Sequence, residues 1–320
     1  MKINRIHTDN INYIIVFLVC FYTVSCNKTV KVPEQVKSIT LVNQKIKYAS
    51  GFTIKNHKTY KEIAIVSPWP NAKTEHRYIL YPKGTPKPDI PGTAKFITIP
   101  VNKTIVTSTT DIPVLEHLNL ENKLIGFPNT DYISSKKTRA LIDKGAITDL
   151  GNEKSINTEL VLELDPEIMI GFSADGNTKN YDLIEKSGIP VVINSSWMEP
   201  HPLGRAEWIK FIAAFYAKEI EADTIFNRIE KKYNKAAQLA KKNTTPPTIL
   251  SGNMYKDIWY VPGGNSYFAQ FLKDANTNYL WAEIKKTGSI PLSFESVLEK
   301  GQQAELWIGC LLYTSDAADD

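Results

Sequence analysis

With 320 residues, 42% of them hydrophobic and 22% charged, the chain is long enough for two medium domains with real cores and ordinary in composition for a soluble globular protein. Its 38 basic and 34 acidic residues leave a formal charge of +4 and form no long single-sign block, which argues against a nucleic-acid stripe and a disordered acidic tail. The small clusters Lys231-Lys232 and Lys241-Lys242 read as solvated helix faces.

At the amino terminus, Lys2 and Arg5 precede an apolar run from Ile11 to Val24 that meets Ser25-Cys26, the pattern of a signal peptide over residues 1–25. The run falls short of the roughly 20 apolar residues of a membrane span. Thr23-Val24-Ser25-Cys26 resembles a lipobox, with Thr23 where an aliphatic residue is usual. Cys26 would then be lipidated and anchor the protein to the cell envelope, on the periplasmic side or the cell surface. Cys20 lies inside the run, and the mature body offers no cysteine pair for a disulfide.

From residue 26 to 100 the pattern is of short strand-like runs, Lys37-Val42, Lys45-Tyr48, Glu62-Val66, Arg77-Tyr81 and Lys95-Ile99, separated by Pro68, Pro70, Pro82, Pro86, Pro88 and Pro91. This predicts an antiparallel β extension. Residues 101–218 alternate strand and helix signals: strands at Thr104-Val106, Leu124-Phe127, Glu167-Phe172 and Pro190-Asn194, and helices from Asp111, over Lys136-Lys144, Thr158-Leu164 and near Tyr181-Ser187. That alternation predicts a parallel sheet clothed by helices, the first α/β lobe.

Trp208, Phe211, Ile212 and Phe215 form one helical stripe, and Phe226, Ile229, Tyr233 and Ala237 another. The second belongs to a helix over residues 219–243 that would extend roughly 35 Å, enough to bridge two lobes. Residues 244–309 resume the α/β pattern and predict a partial second lobe, one that needs further βα units to cover its sheet. The segment 310–320, CLLYTSDAADD, follows a strand-like run without helix or capping signal. It resembles a library-preparation transposase adaptor read in frame and is taken as a sequencing artefact, so that Cys310 carries no chemistry.

Two segments carry a family resemblance: residues 156–170, INTELVLELDPEIMI, and residues 290–300, IPLSFESVLEK, in each of which a Glu begins a short helix. With the region from Thr104 to Ile308, they resemble the substrate-binding proteins of ABC importers for iron-siderophores, heme and vitamin B12, two lobes joined by one long helix. The resemblance implies an α/β fold of two parallel-sheet lobes and a monomer whose ligand is a metal chelate. It also implies that Glu159 and Glu295 dock onto arginines of a permease, which works with an ATPase. Carboxylates in a first helical turn suit the helix dipole and stay free for bidentate pairing with Arg.

Ligand contacts are expected from loops at the carboxyl ends of strands, where an open parallel sheet leaves a crevice. Asp131 and Tyr132 follow one strand, Trp197, Met198 and His201 another, and Trp259, Tyr260 and Tyr267 flank a glycine-containing turn in the second lobe. The segment around Gly171-Phe172-Ser173 completes the rim. Aromatic walls suit flat conjugated ligands, although Trp259 and Tyr260 alternate along a strand, so only one of them faces the cleft. His201, Met198 or Tyr132 could ligate a heme iron axially.

Corrinoid-binding members place tryptophans shortly before the docking glutamates, where this chain has Glu153 and Ser289. The five histidines, His7, His57, His76, His117 and His201, are scattered without metal-ligand spacing. Two other function classes have some support in the sequence. A nucleophile elbow at Gly171-Phe172-Ser173-Ala174-Asp175 lacks the glycine required where Asp175 stands. A surface scavenger or sensor lipoprotein without its own permease draws on the extension, since minimal members of the family begin near the equivalent of Thr104.

Overall fold

A computed structural model describes residues 43–72, 75–153 and 155–309. The signal segment, Cys26, the expected strand Lys37-Val42 and residues 310–320 lie outside the described residues.

The extension forms a four-stranded sheet of β1 (Phe52–Asn56), β2 (Lys61–Ile65), β3 (His76–Pro82) and β4 (Lys95–Ile99), in that order. β1, β2 and β3 are antiparallel neighbours, and β4 joins β3 in parallel. Ile63, Ile65, Tyr78, Leu80, Ile97 and Ile99 join one buried cluster with the core of the first lobe, so the extension packs on that lobe rather than standing off it. The Tyr78 hydroxyl accepts a hydrogen bond from the Ile193 amide at 2.9 Å, and Lys95 Nζ donates to the Val191 carbonyl at 2.9 Å.

The run Lys45-Tyr48, expected as a strand, is irregular, because its amides have found a carboxylate instead of a strand partner. Glu207 accepts from the backbone N–H groups of Lys47, Tyr48 and Ala49 at 2.7–3.0 Å. The run that follows it, Phe52–Asn56, is absent from the expected strands, yet it pairs with β2 and forms the sheet edge.

The first lobe contains β5 (Thr104–Val106), α1 (Asp111–His117), β6 (Leu124–Phe127), α2 (Lys136–Asp143), β7 (Thr148–Asp149), the ribbon β8 (Gly151–Asn152) and β9 (Ser155–Ile156), α3 (Thr158–Leu164), β10 (Ile168–Gly171), α4 (Lys179–Lys186) and β11 (Val191–Ile193). Its five-stranded sheet is parallel throughout, in the order β11-β10-β5-β6-β7. β5, β10 and β11 are buried along their whole length, as strands covered on both faces must be.

Two helices follow, α5 (Pro202–Ala214) and α6 (Glu219–Ala240). Helix α5 is buried nearly all round, because the extension lies over the side that would otherwise meet solvent. Glu207 and Lys210 are therefore interior, and they pair with each other at 3.0 Å. The 22 residues of α6 span about 33 Å. Its first half belongs to the first lobe: Phe226 enters that core, Glu219 pairs with the fully buried Lys61, and Glu230 accepts from Lys47 and from the Tyr48 hydroxyl. Its second half meets the second lobe, where the Tyr233 hydroxyl donates to Asp274 at 2.7 Å and Asn276 donates to the Ala240 carbonyl at 3.2 Å.

The second lobe contains β12 (Thr248–Ser251), β13 (Asn253–Tyr255), β14 (Ile258–Pro262), α7 (Tyr267–Asp274), β15 (Asn278–Tyr279), β16 (Ser289–Ser293), α8 (Phe294–Gly301) and β17 (Leu306–Ile308). A parallel sheet ordered β15-β12-β17 stands beside an antiparallel one ordered β13-β14-β16. The β13–β14 turn places Lys256 and Asp257 in the left-handed region, the two-residue hairpin geometry that matches strand twist.

Candidate functional site

A cavity of about 570 Å³ opens in the second lobe at the carboxyl ends of β12 and β17. Tyr260, Tyr267, Phe268 and Pro262 supply its apolar walls, and Ser251, Asn253 and Ser266 its polar edge. Strand alternation allows only one aromatic of the Trp259-Tyr260 pair to face the cavity, and the packing of the second core decides which. Tyr260 lines the cavity, whereas Trp259 is only 8% exposed, packs in the second core against Trp307, and donates from Nε1 to the Ser251 carbonyl at 3.4 Å. Trp259 thus leaves the set of contact residues. The turn before α7 requires its glycines: a Cβ on Gly263 or Gly264 would fall within 2.2 Å of a backbone oxygen.

Tyr267 also reaches the first lobe. The guanidinium of Arg205, in the first turn of α5, lies 3.7 Å over its ring, a cation–π contact across the lobe junction. The same Arg205 donates to the Trp197 carbonyl at 2.5 Å, fixing the loop that leaves β11. Trp197 is 38% exposed in that loop. Arg205 was not singled out from the sequence, although it is the charged residue that follows the helix-starting Pro202 just beyond an aromatic loop. It is the side chain that brings Trp197 and Tyr267 together.

The remaining expected contacts are spread along the rim. Tyr132 is 71% exposed on the loop after β6, and the Asp131 carboxylate approaches Arg139 at 3.9 Å. His201 caps α5 by accepting at Nδ1 from the Leu203 amide at 3.1 Å, and its ring stacks on Tyr48 with Tyr233 beyond. One ring nitrogen is thereby occupied in holding the helix. Ser173 closes its own turn, accepting from the Gly176 amide at 2.9 Å and donating to the Asn177 carbonyl at 3.3 Å. A second cavity, of about 440 Å³, follows the loop from Phe172 to Tyr181 and includes Glu153. No group of three His, Cys, Asp or Glu side chains gathers as a metal site among the described residues.

Beneath this rim lies a buried acid. Asp111 begins α1 directly behind β5, is 3% exposed, and accepts from Asn194 Nδ2 at 2.6 Å. Burial raises its pKa to about 7 against the opposing effect of that one hydrogen bond. The Asp111–Asn194 link ties the first turn of α1 to the loop after β11 and so braces the strand ends.

The two expected docking residues occupy matching positions. Glu159 lies in the first turn of α3, capped by the Asn157 side chain, and Glu295 in the first turn of α8, capped by Ser293. Both are exposed, and neither makes an ion pair or side-chain hydrogen bond among the described residues.

Two lobes, a bridging helix and facing strand-end loops define an architecture that sequence comparison resolves. The sequence model of the family described as periplasmic binding protein matches residues 105–317. The chain belongs to that family. This periplasmic binding protein is 28% identical over 304 residues to an uncharacterised lipoprotein of Methanocaldococcus jannaschii, covering 88% of the chain and 71% of the relative. Among solved structures it is similar to the periplasmic heme-binding protein HutB of Vibrio cholerae, with a TM-score of 0.53 at 20% identity over 65% of this chain and 76% of that one. It is also similar to a possible iron-binding, periplasmic solute-binding protein of Staphylococcus epidermidis, with a TM-score of 0.51 at 15% identity over 66% and 77%. At these identities the structural likeness carries the fold of the binding protein, and the β extension lies ahead of the family match.

Proposed function

We propose that this binding protein is the lipid-anchored capture component of an ABC importer, holding a metal chelate between its lobes and passing it to a membrane permease and its ATPase. The observation that carries the reading is the Arg205–Tyr267 junction, where the strand-end loops of one lobe meet the aromatic cavity of the other. Such a place offers a flat conjugated ligand aromatic faces, with a few oriented polar groups to set its orientation. The names of structurally similar heme- and iron-binding proteins agree with a chelate as cargo. The lipoprotein relative agrees with an envelope location and with lipidation at Cys26.

Parallel titrations with hemin, ferric siderophores and cobalamin, read by absorbance and native mass spectrometry, test the cargo class; absence of binding to all three refutes it. Docking is tested separately. Glu159→Arg combined with Glu295→Arg should abolish uptake in cells while ligand affinity stays within about twofold, because neither carboxylate touches the cavity. Undiminished uptake would remove both residues from the permease interface.

A further inference from the structure

The β extension precedes the family match, which begins at residue 105, yet one of its loops reaches the rim of the first lobe. Residues 66–71 leave β2 and meet two strand-end loops at once. On one side, Val66 and Ser67 line a cavity of about 230 Å³ together with Ser195, Met198 and Glu199 of the loop after β11. On the other, Trp69 lies against Gly176 of the loop after β10, where an added Cβ would fall 2.8 Å from the indole nitrogen. Gly176 also has a φ of +84°, so glycine is required there by backbone and neighbour together.

β10 and β11 are adjacent parallel strands, and the loops at their carboxyl ends form one side of the crevice. The loop 66–71 continues that side outward. Its root is tied to the β11 loop through Gly51: the Val66 amide donates to the Gly51 carbonyl at 3.1 Å, and Glu199 accepts at one oxygen from the amides of Ser50 and Gly51 and from Trp208 Nε1 at 2.8–3.0 Å. Trp69 is half-buried, braced edge-on by His76 at a ring separation of 5.6 Å, and it adjoins the loop that borders the 440 Å³ cavity.

We propose that the loop 66–71 is a third wall of the cargo site, in which Trp69 selects chelates with an extended aromatic or conjugated face. This deepens the reading above and rests on it. Calorimetric titration of the whole protein with hemin and with a ferric trihydroxamate chelate, which has no aromatic face, tests it. Trp69→Ala should weaken hemin binding about tenfold, and Trp69→Phe should hold it within about twofold, as expected for loss and retention of one aromatic contact. The trihydroxamate affinity, where measurable, should be the same in all three proteins. Equal hemin affinity in wild type and Trp69→Ala overturns the proposal, as does a loss that Phe does not restore or an equal loss for the trihydroxamate. Wild-type protein that binds no chelate overturns the functional reading itself, a different result from chelate binding that ignores Trp69.

Discussion

The two lobes share a plan and differ in how completely it is covered. In the first, one buried cluster runs from Phe52 of the extension through the parallel sheet to Phe226 of α6. In the second, the cluster is confined to a few residues between Ile249 and Val297, while Leu298, Leu306 and Trp307 are each at least half exposed among the described residues. The difference lies less in the strands than in what lies over them. The extension converts the outer side of α5 into interior, and it does so with backbone amides pointed at carboxylates rather than with apolar contacts alone. A buried carboxylate saturated by three amides and a lysine holds its neighbours in one arrangement, because any other leaves charge or donors without partners.

The largest expected effect follows from breaking that hold. Glu207→Ala leaves the amides of 47–49 without their acceptor and Lys210 with only the Lys45 carbonyl and Asp223, and should cost about 3–5 kcal/mol in denaturant unfolding. Hydrogen exchange should rise across the extension and α5 while α7 and α8 keep their protection; a loss below about 1 kcal/mol would show that the segment 47–49 is not held by this carboxylate.

Asp111 gives the first lobe a pH signature near neutrality. Its folded pKa of about 7 lies above the ordinary carboxylate value, so the stabilisation it gives is full below about pH 4 and is lost as pH rises through 7. Asp111→Asn should remove that dependence, so that the stability difference between variant and wild type moves by on the order of 3 kcal/mol, in favour of the variant, between pH 4 and pH 8. A difference independent of pH would place the proton elsewhere. His76 supplies a slope of opposite sign: burial, with Lys95 nearby, pulls it down to about 4, so its contribution is lost as pH falls from 6.5 through 4. The comparison with Asp111→Asn cancels that term.

The smallest effect is at the junction. Arg205→Ala removes the cation–π contact with Tyr267 and should cost about 1 kcal/mol, read as faster exchange in the first turn of α7. Unchanged exchange there would mean that the lobes are held together through α6 alone.

Much of this fold is legible in the sequence because local periodicity and tertiary burial agree. The helix at 219–240 follows its apolar stripe, those at 158–164 and 294–301 begin with the Glu-led segments, and β5, β6, β10 and β11 are short apolar runs bounded by turn residues. Reading fails where a distant partner overrides local pattern. Lys45-Tyr48 alternates like a strand but is captured by Glu207, about 160 residues away in sequence. The stripe in α5 suggested one apolar side, and nothing local signals that Glu207 and Lys210 would be covered too. At the site, alternation limited Trp259 and Tyr260 to one cleft-facing residue without saying which; only the packing of the second core decides for Tyr260. Arg205 and Trp69 escaped because their significance lies in what they touch, Tyr267 and Gly176, on elements that only the fold brings near.

The long bridge has a property that neither lobe shows by itself. It passes from Glu230, bonded to the Tyr48 hydroxyl of the first lobe, to Tyr233, which touches His201 of the first lobe with its ring and Asp274 of the second with its hydroxyl, in less than one turn. A helix cannot hinge within a turn without giving up its own hydrogen bonds, so the spacing of the two halves is set when the chain folds. For the function proposed above, a ligand would then meet a gap whose width is largely set beforehand, with little ordering left for the moment of capture. In the proposed reading, such a receptor would discriminate by dimension: a cargo too thick for the gap would be refused at the entrance, and one too thin would touch only one wall.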